Sequence, residues 1–229
     1  MRNALLFIAL ALGCRAVDAE PPPEQRFEHD MLVRFHMHQS FDLLRAIERL
    51  LIRGKLDAAT QLAETLAIAP EEPAHGPWAA QAVEVRDRAA ALARATTIPE
   101  ACAREARIAA ACATCHQDLG VSPEFRGHPP PPPDKPTLAA RMLRHRWAAD
   151  RLWEGVVGAD DESWQAGLDI IAASPLDASQ LGADRMLLAR QLQRQADQAR
   201  RTKDARPSER AVAYGELLAT CAACHTTKH

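Results

Sequence analysis

The pattern Cys-x-x-Cys-His occurs twice, as Cys112-Ala113-Thr114-Cys115-His116 and, 109 residues further on, as Cys221-Ala222-Ala223-Cys224-His225. On a helix, positions i, i+3 and i+4 share one face. Both thiols and the imidazole of each copy can then meet a single flat group lying against that face. Two thiols followed at once by a histidine are the attachment signature of a c-type haem. Each sulfur forms a thioether with a haem vinyl group, and the imidazole becomes the proximal iron ligand. The implied cofactors are two covalently bound haem c groups, held by Cys112, Cys115, Cys221 and Cys224, with His116 and His225 on iron.

Composition agrees with a helical protein. Of 229 residues, 47% are apolar, 25% charged and only 4% aromatic, with Ala and Leu dominant. That mixture builds a globular, all-helical chain. A formal net charge of −2 gives no basis for binding nucleic acid. Four of the six cysteines belong to the two motifs, leaving Cys14 and Cys102, so no disulfide framework is implied. Cys102 is expected to be a small buried apolar residue.

The N-terminus carries an export pattern over residues 1–19. Arg2 precedes an apolar run, Ala4 to Leu12, too short to span a bilayer, and Val17-Asp18-Ala19 offers a small-residue cleavage site. The alternative is a lipid anchor at Cys14, after Gly13. Either reading sends the mature chain to the periplasm, where covalent haem attachment takes place. Residues 20–24, with Pro21-Pro22-Pro23, read as a stiff spacer.

Apolar spacing then predicts four helices before each motif is complete. Residues 25–53 form the first, with Val33, His36, Leu43, Ile47 and Leu50 along one face. Residues 57–69 and 78–95 follow, and Pro99 opens the fourth, which runs into the first motif. After Gly120 comes a linker, 121–136, whose five consecutive prolines, Pro129 to Pro133, favour polyproline II and a spacer role. The pattern then repeats with helices over 137–157, 164–173, 176–201 and from Pro207 into the second motif. The expected organisation is two tandem four-helix bundles, residues 25–120 and 137–229, each closing on Cys-x-x-Cys-His.

This arrangement resembles the class II c-type cytochromes, the cytochrome c-prime type, fused in tandem. The resemblance rests on Cys112–His116 and Cys221–His225 ending a fourth helix, with about a hundred mainly helical residues before each. It implies four-helix bundles holding haem between their helices. The sixth iron position is then either open or filled from the first helix.

First-helix histidines compete for that position. His36 falls in the apolar row with Ser40, Leu43, Ile47 and Leu50, whereas His38 falls among Arg34, Arg45 and Arg49. His145 shares its row with Ala148, Ala149, Leu152 and Val156 in the second half. His36 lies 80 residues before His116, and His145 lies 80 before His225. The expectation is bis-His iron, His36 with His116 and His145 with His225. Met37 and Met142 are the alternative ligands, an open site is the other, and core histidines the plainest reading of both. Met31 and Met186 are expected to fill core. Arg104, Arg107, Arg141 and Arg144 flank the sites as candidate propionate partners or solvated charges. Glu105 and Tyr214 occupy equivalent positions, eleven residues before each iron-binding histidine. His29, His75, His128 and His229 are expected in solvent.

The functional expectation is a periplasmic diheme electron carrier working with redox partner proteins, and not an enzyme. The alternative is a cytochrome c-prime-like protein binding NO or CO at an open distal site. A small peroxidase lacks a catalytic constellation in the sequence. A Cys₄ zinc site built from both C-x-x-C pairs leaves the two following histidines unexplained.

Overall fold

The structure is a computed structural model that describes residues 23–68, 78–121, 123, 125, 129–173, 181–202 and 205–227, with 23–30 described at the backbone only. The export pattern, Cys14, His75, His128 and His229 lie outside these residues, as does the side chain of His29. Eight helices appear among the described residues: α1 (Pro23–Ile52), α2 (Leu56–Ala67), α3 (Ala79–Ala93), α4 (Ile98–Asp118), α5 (Leu138–Val157), α6 (Asp161–Ala173), α7 (Ala183–Arg200) and α8 (Pro207–Thr226). No strand occurs among the described residues, so the all-helical expectation holds. None of these helices is long and apolar enough to cross a membrane.

Local chemistry sets the helix ends. The Thr97 hydroxyl accepts the Glu100 N–H at 3.3 Å and caps α4, while the Glu100 carboxylate accepts the Thr96 N–H at 2.8 Å. Thr137 caps α5 in the same way, accepting from the Ala140 N–H at 3.3 Å. Both α1 and α4 end on a left-handed glycine, Gly54 at φ +68 and Gly120 at φ +64. The next amide closes each turn, Lys55 N–H to the Leu50 carbonyl and Val121 N–H to the His116 carbonyl, both at 2.9 Å. Helix α6 begins at Asp161, three residues earlier than the apolar spacing suggests, because Asp160 accepts the Glu162 N–H at 3.1 Å. The interval 174–180 lies outside the described residues, and α7 is described from Ala183.

The chain divides into two units, Met1–Met37 and His38–His229. In the first, the described side chains ride on early turns of α1. Val33 and His36 are half-buried, whereas Met31, expected in a core, is 52% exposed and Phe35 is 56% exposed.

The second unit contains both motifs. Helices α4 and α8 pack broadly on each other, as do α5 and α6. Small residues let α4 and α8 approach closely: a Cβ added at Gly215 would lie 3.1 Å from the Ala103 Cα. The two helices run in opposite directions. His116, in the last turn of α4, lies beside the Val157 backbone at the end of α5. Arg210, in the first turn of α8, donates to the Gly155 carbonyl at 3.1 Å. At the other end of α8, Thr226 abuts Gly54, in the turn between α1 and α2. One continuous core joins the two halves: Leu44, Ile47 and Ile108 from the first, and Trp153, Leu168 and Leu217 from the second.

Part of the Pro-rich interval is docked rather than free. Trp147 Nε1 donates to the Pro129 carbonyl at 2.8 Å, and Arg144 donates to that of Pro132. The Phe125 ring lies 6.3 Å from Phe41, centroid to centroid. These bonds fasten the segment to α5, so it is an ordered strap on the second unit as well as a connection.

Gly155 marks the tightest crossing. A Cβ there would lie 2.6 Å from the Cα, Cβ and backbone N of Trp164. Backbone cannot yield as a flexible side-chain tip can. Gly155→Ala is therefore expected to destabilise the fold by about 1–3 kcal/mol despite alanine's better helix propensity. Urea unfolding should show a lowered midpoint; an unchanged or raised midpoint would mean that α5 and α6 separate without cost.

Candidate haem sites

Both motifs lie within helices, as the apolar spacing predicts. Cys112, Cys115 and His116 are half-buried on the last turns of α4. Cys221 and Cys224 are half-buried on the last turns of α8, and His225 is exposed. Burial pushes the Cys112 and Cys221 thiols up to about 12, with the second thiol of each motif adding to the effect. Desolvation lowers the His116 imidazole, outweighing the Val157 backbone group beside it. His225 is lowered by desolvation and by the positive charge of Arg185. His116 Nδ1 is buried and has no hydrogen-bond partner among the described residues.

These residues fit a covalent haem. The uncharged imidazole form is the one that can ligate iron, and both sulfurs of each motif lie beside it on one helix face. A cavity of about 240 Å³ opens elsewhere, lined by Asp161, Trp164, Gln165 and Arg210. The motif cysteines lie away from it on the last turns of α4 and α8, with Cys112 and Cys221 packed against the core.

The packing also fixes where the motifs lie relative to each other. Gly215 meets Ala103 and Ala106, and each motif lies eight or nine residues beyond that crossing on helices running in opposite directions. At 1.5 Å per residue, the motif centres are about 25 Å apart along the helices. The two C-x-x-C pairs therefore do not converge on one ion, and geometry disfavours the zinc reading. Among the described residues, no cluster of three or more His, Cys, Asp or Glu side chains could hold a metal ion.

The distal candidates are distributed as follows. His36 is half-buried in the first unit, with the Phe35 ring edge-on at 5.7 Å. His38 is exposed, and Met37 is 45% exposed. His145 and Met142 are half-buried on α5. The end of α5 meets the first turn of α8 through Arg210 and Gly155. His145 lies ten residues back from Gly155, displaced toward the end of α8 that carries Cys221–His225.

The flanking arginines have varied roles. Arg104 braces α3 against α4, donating to the Ala91 carbonyl and, at 2.5 Å, to Glu100. Arg107 is exposed, and Arg144 holds the Pro132 carbonyl. Cys102 is fully buried, as expected of a small apolar residue. Sequence reasoning missed Arg185, which donates to the Thr227 carbonyl at 2.8 Å beside the second motif. No periodicity in α7 announces that contact.

A polar cluster lies between the motifs. Tyr214 donates to Glu48 Oε1 at 2.5 Å, and Arg45 donates to Glu48 Oε2 at 2.5 Å. Arg45 also bonds Asp150 and lies over the Trp153 ring at 5.6 Å. Glu105, the equivalent of Tyr214, is fully buried, and neither of its carboxyl oxygens has a partner among the described residues. Glu48 escaped sequence reasoning, although it shares a helical row with buried Leu44 and Leu51. A glutamate in an apolar stripe was the available signal.

No family model, curated protein or solved structure matches the chain.

Proposed function

We propose that the chain is an exported diheme c-type cytochrome that passes single electrons between redox partner proteins. Each half is read as a class II-like four-helix haem module, with His36 and His116 on one iron and His145 and His225 on the other. The observation carrying this reading is the matched pair of Cys-x-x-Cys-His motifs, each on the last turns of its half's fourth helix. Haem iron bound there would supply a one-electron couple. The thiols anchor the group, and the uncharged imidazoles of His116 and His225 ligate it. Exposure of His225 brings the second site to the surface, where a partner can approach. The displacement of His145 toward that motif supports it as the distal ligand.

Visible spectra of the oxidised and reduced protein, with and without carbon monoxide, test the coordination. Bis-His iron gives low-spin spectra that ignore the gas. His145→Ala should make one haem of the two gas-reactive and leave the other low-spin. A wild-type protein that binds carbon monoxide at both haems overturns bis-His ligation and favours the gas-binding alternative.

A further inference from the structure

Glu105 is the fully buried carboxyl between the two motif helices for which the electron-carrier reading has no use. It lies two helical turns before Cys112, about 10 Å along α4. Burial pushes it well above the usual carboxylate range, and the nearby Glu48 adds to this while Arg45 opposes it. The groups around it are few. From α1 come Glu48 and Arg45; from α8, Tyr214, itself held neutral by burial. On α4 its neighbours are Cys102 and Cys112, both thiols raised by burial. From α5, Asp150 binds Arg45. Arg45 and Tyr214 both bond Glu48, so the buried cation and the phenol support the charge of Glu48 and leave Glu105 without a counter-ion.

We propose that Glu105 is a proton-binding site linked to oxidation at the two motifs, so that the protein carries a proton together with an electron. This rests on the haem reading above. Glu105 holds its proton in the reduced protein. On oxidation one electron passes to the acceptor protein, the site gains one positive charge, and the Glu105 O–H bond breaks to release one proton to solvent. The route out is marked by Glu48, Arg45 and Asp150, the last of which is 38% exposed. A charge at about 10 Å, in an effective dielectric near 20, shifts such an equilibrium about tenfold.

The test uses the full-length holoprotein, as wild type and Glu105→Gln, with haem attachment confirmed by haem staining. Spectropotentiometry across neutral pH should show wild-type potentials falling as pH rises, by ~59 mV for a tenfold coupling of a one-electron couple. Glu105→Gln should hold the upper, low-pH potential throughout. A second readout needs no haem chemistry. A group raised in the folded state stabilises below its unfolded value and loses that contribution as pH rises. Wild-type stability in urea should therefore fall from the ordinary carboxylate range upward more steeply than that of Glu105→Gln. Equal potential slopes in both proteins, with haem attached, overturn this proposal and leave the carrier reading intact. A chain exported without haem overturns both, and equal stability slopes overturn Glu105 as the proton site.

Discussion

Replacing Cys112 and Cys115 together by alanine should lower the haem content from two to one per chain and leave the second haem spectrally unchanged. The expectation follows from geometry. The motif centres lie about 25 Å apart along helices running in opposite directions, so neither set of sulfurs reaches the other's group. The second motif keeps its own surroundings: Thr226 against Gly54, and Arg185 holding the Thr227 carbonyl at 2.8 Å. Alanine at 112 and 115 continues α4 without strain, since alanine is the strongest helix former. The reciprocal pair, Cys221→Ala with Cys224→Ala, should give the converse protein. Cys102→Ala is the control. Cys102 is fully buried on α4 and its thiol is held protonated by that burial, so haem content should remain two. Haem is counted against protein after denaturation, when only thioether-bound groups remain. Loss of both haems from the first double variant, or loss of any from Cys102→Ala, contradicts two independent attachment sites.

The helices were legible in the sequence because their determinants are local. Apolar spacing, Pro99 and Pro207 near helix starts, and Gly54 and Gly120 at helix ends each act within a turn or two. The motif residues were legible for the same reason, since i, i+3 and i+4 are fixed by the helix itself. What the halves do to each other was not. A stripe of apolar residues on α4 satisfies a bundle closed within its own half as well as one pressed against α8. The difference lies in small residues: Gly215 against Ala103 and Ala106 lets two backbones approach where larger side chains would hold them apart. Glu105 and Tyr214 were recognisable as equivalent positions, but the sequence did not say what surrounds them. The structure buries them between the halves, with Tyr214 bonded to Glu48 of α1. That contact spans 166 residues, and no periodicity encodes a pairing at that separation.

Arg45→Ala is expected to cost about 3–5 kcal/mol of stability, because it strands a buried charge. Arg45 joins two helices: it pairs with Glu48 on its own helix at 2.5 Å, and on α5 it binds Asp150 and covers Trp153. Glu48 is only 2% exposed, and without Arg45 its sole bonded neighbour in the cluster is the Tyr214 hydroxyl. Desolvation already raises the Glu48 carboxyl, with Arg45 as the first influence opposing that rise. Removing the guanidinium therefore drives Glu48 further up and toward its neutral form. The pH dependence follows. A raised carboxyl stabilises below its unfolded range and loses that contribution as pH climbs, so the variant should be least impaired in acid and most impaired above neutrality. The double variant Arg45→Met/Glu48→Leu removes both charges and fills the space with apolar atoms. It should regain most of the lost stability, since replacing a buried ion pair by packed hydrophobic residues is often neutral or better. Leu in place of Glu48 leaves the Tyr214 hydroxyl without its acceptor, so Tyr214→Phe on that background should complete the recovery rather than add damage. Urea unfolding of the three variants at several pH values decides the matter. A cost near 1 kcal/mol for Arg45→Ala would identify an ordinary surface pair, in which solvent and not Arg45 stabilises Glu48.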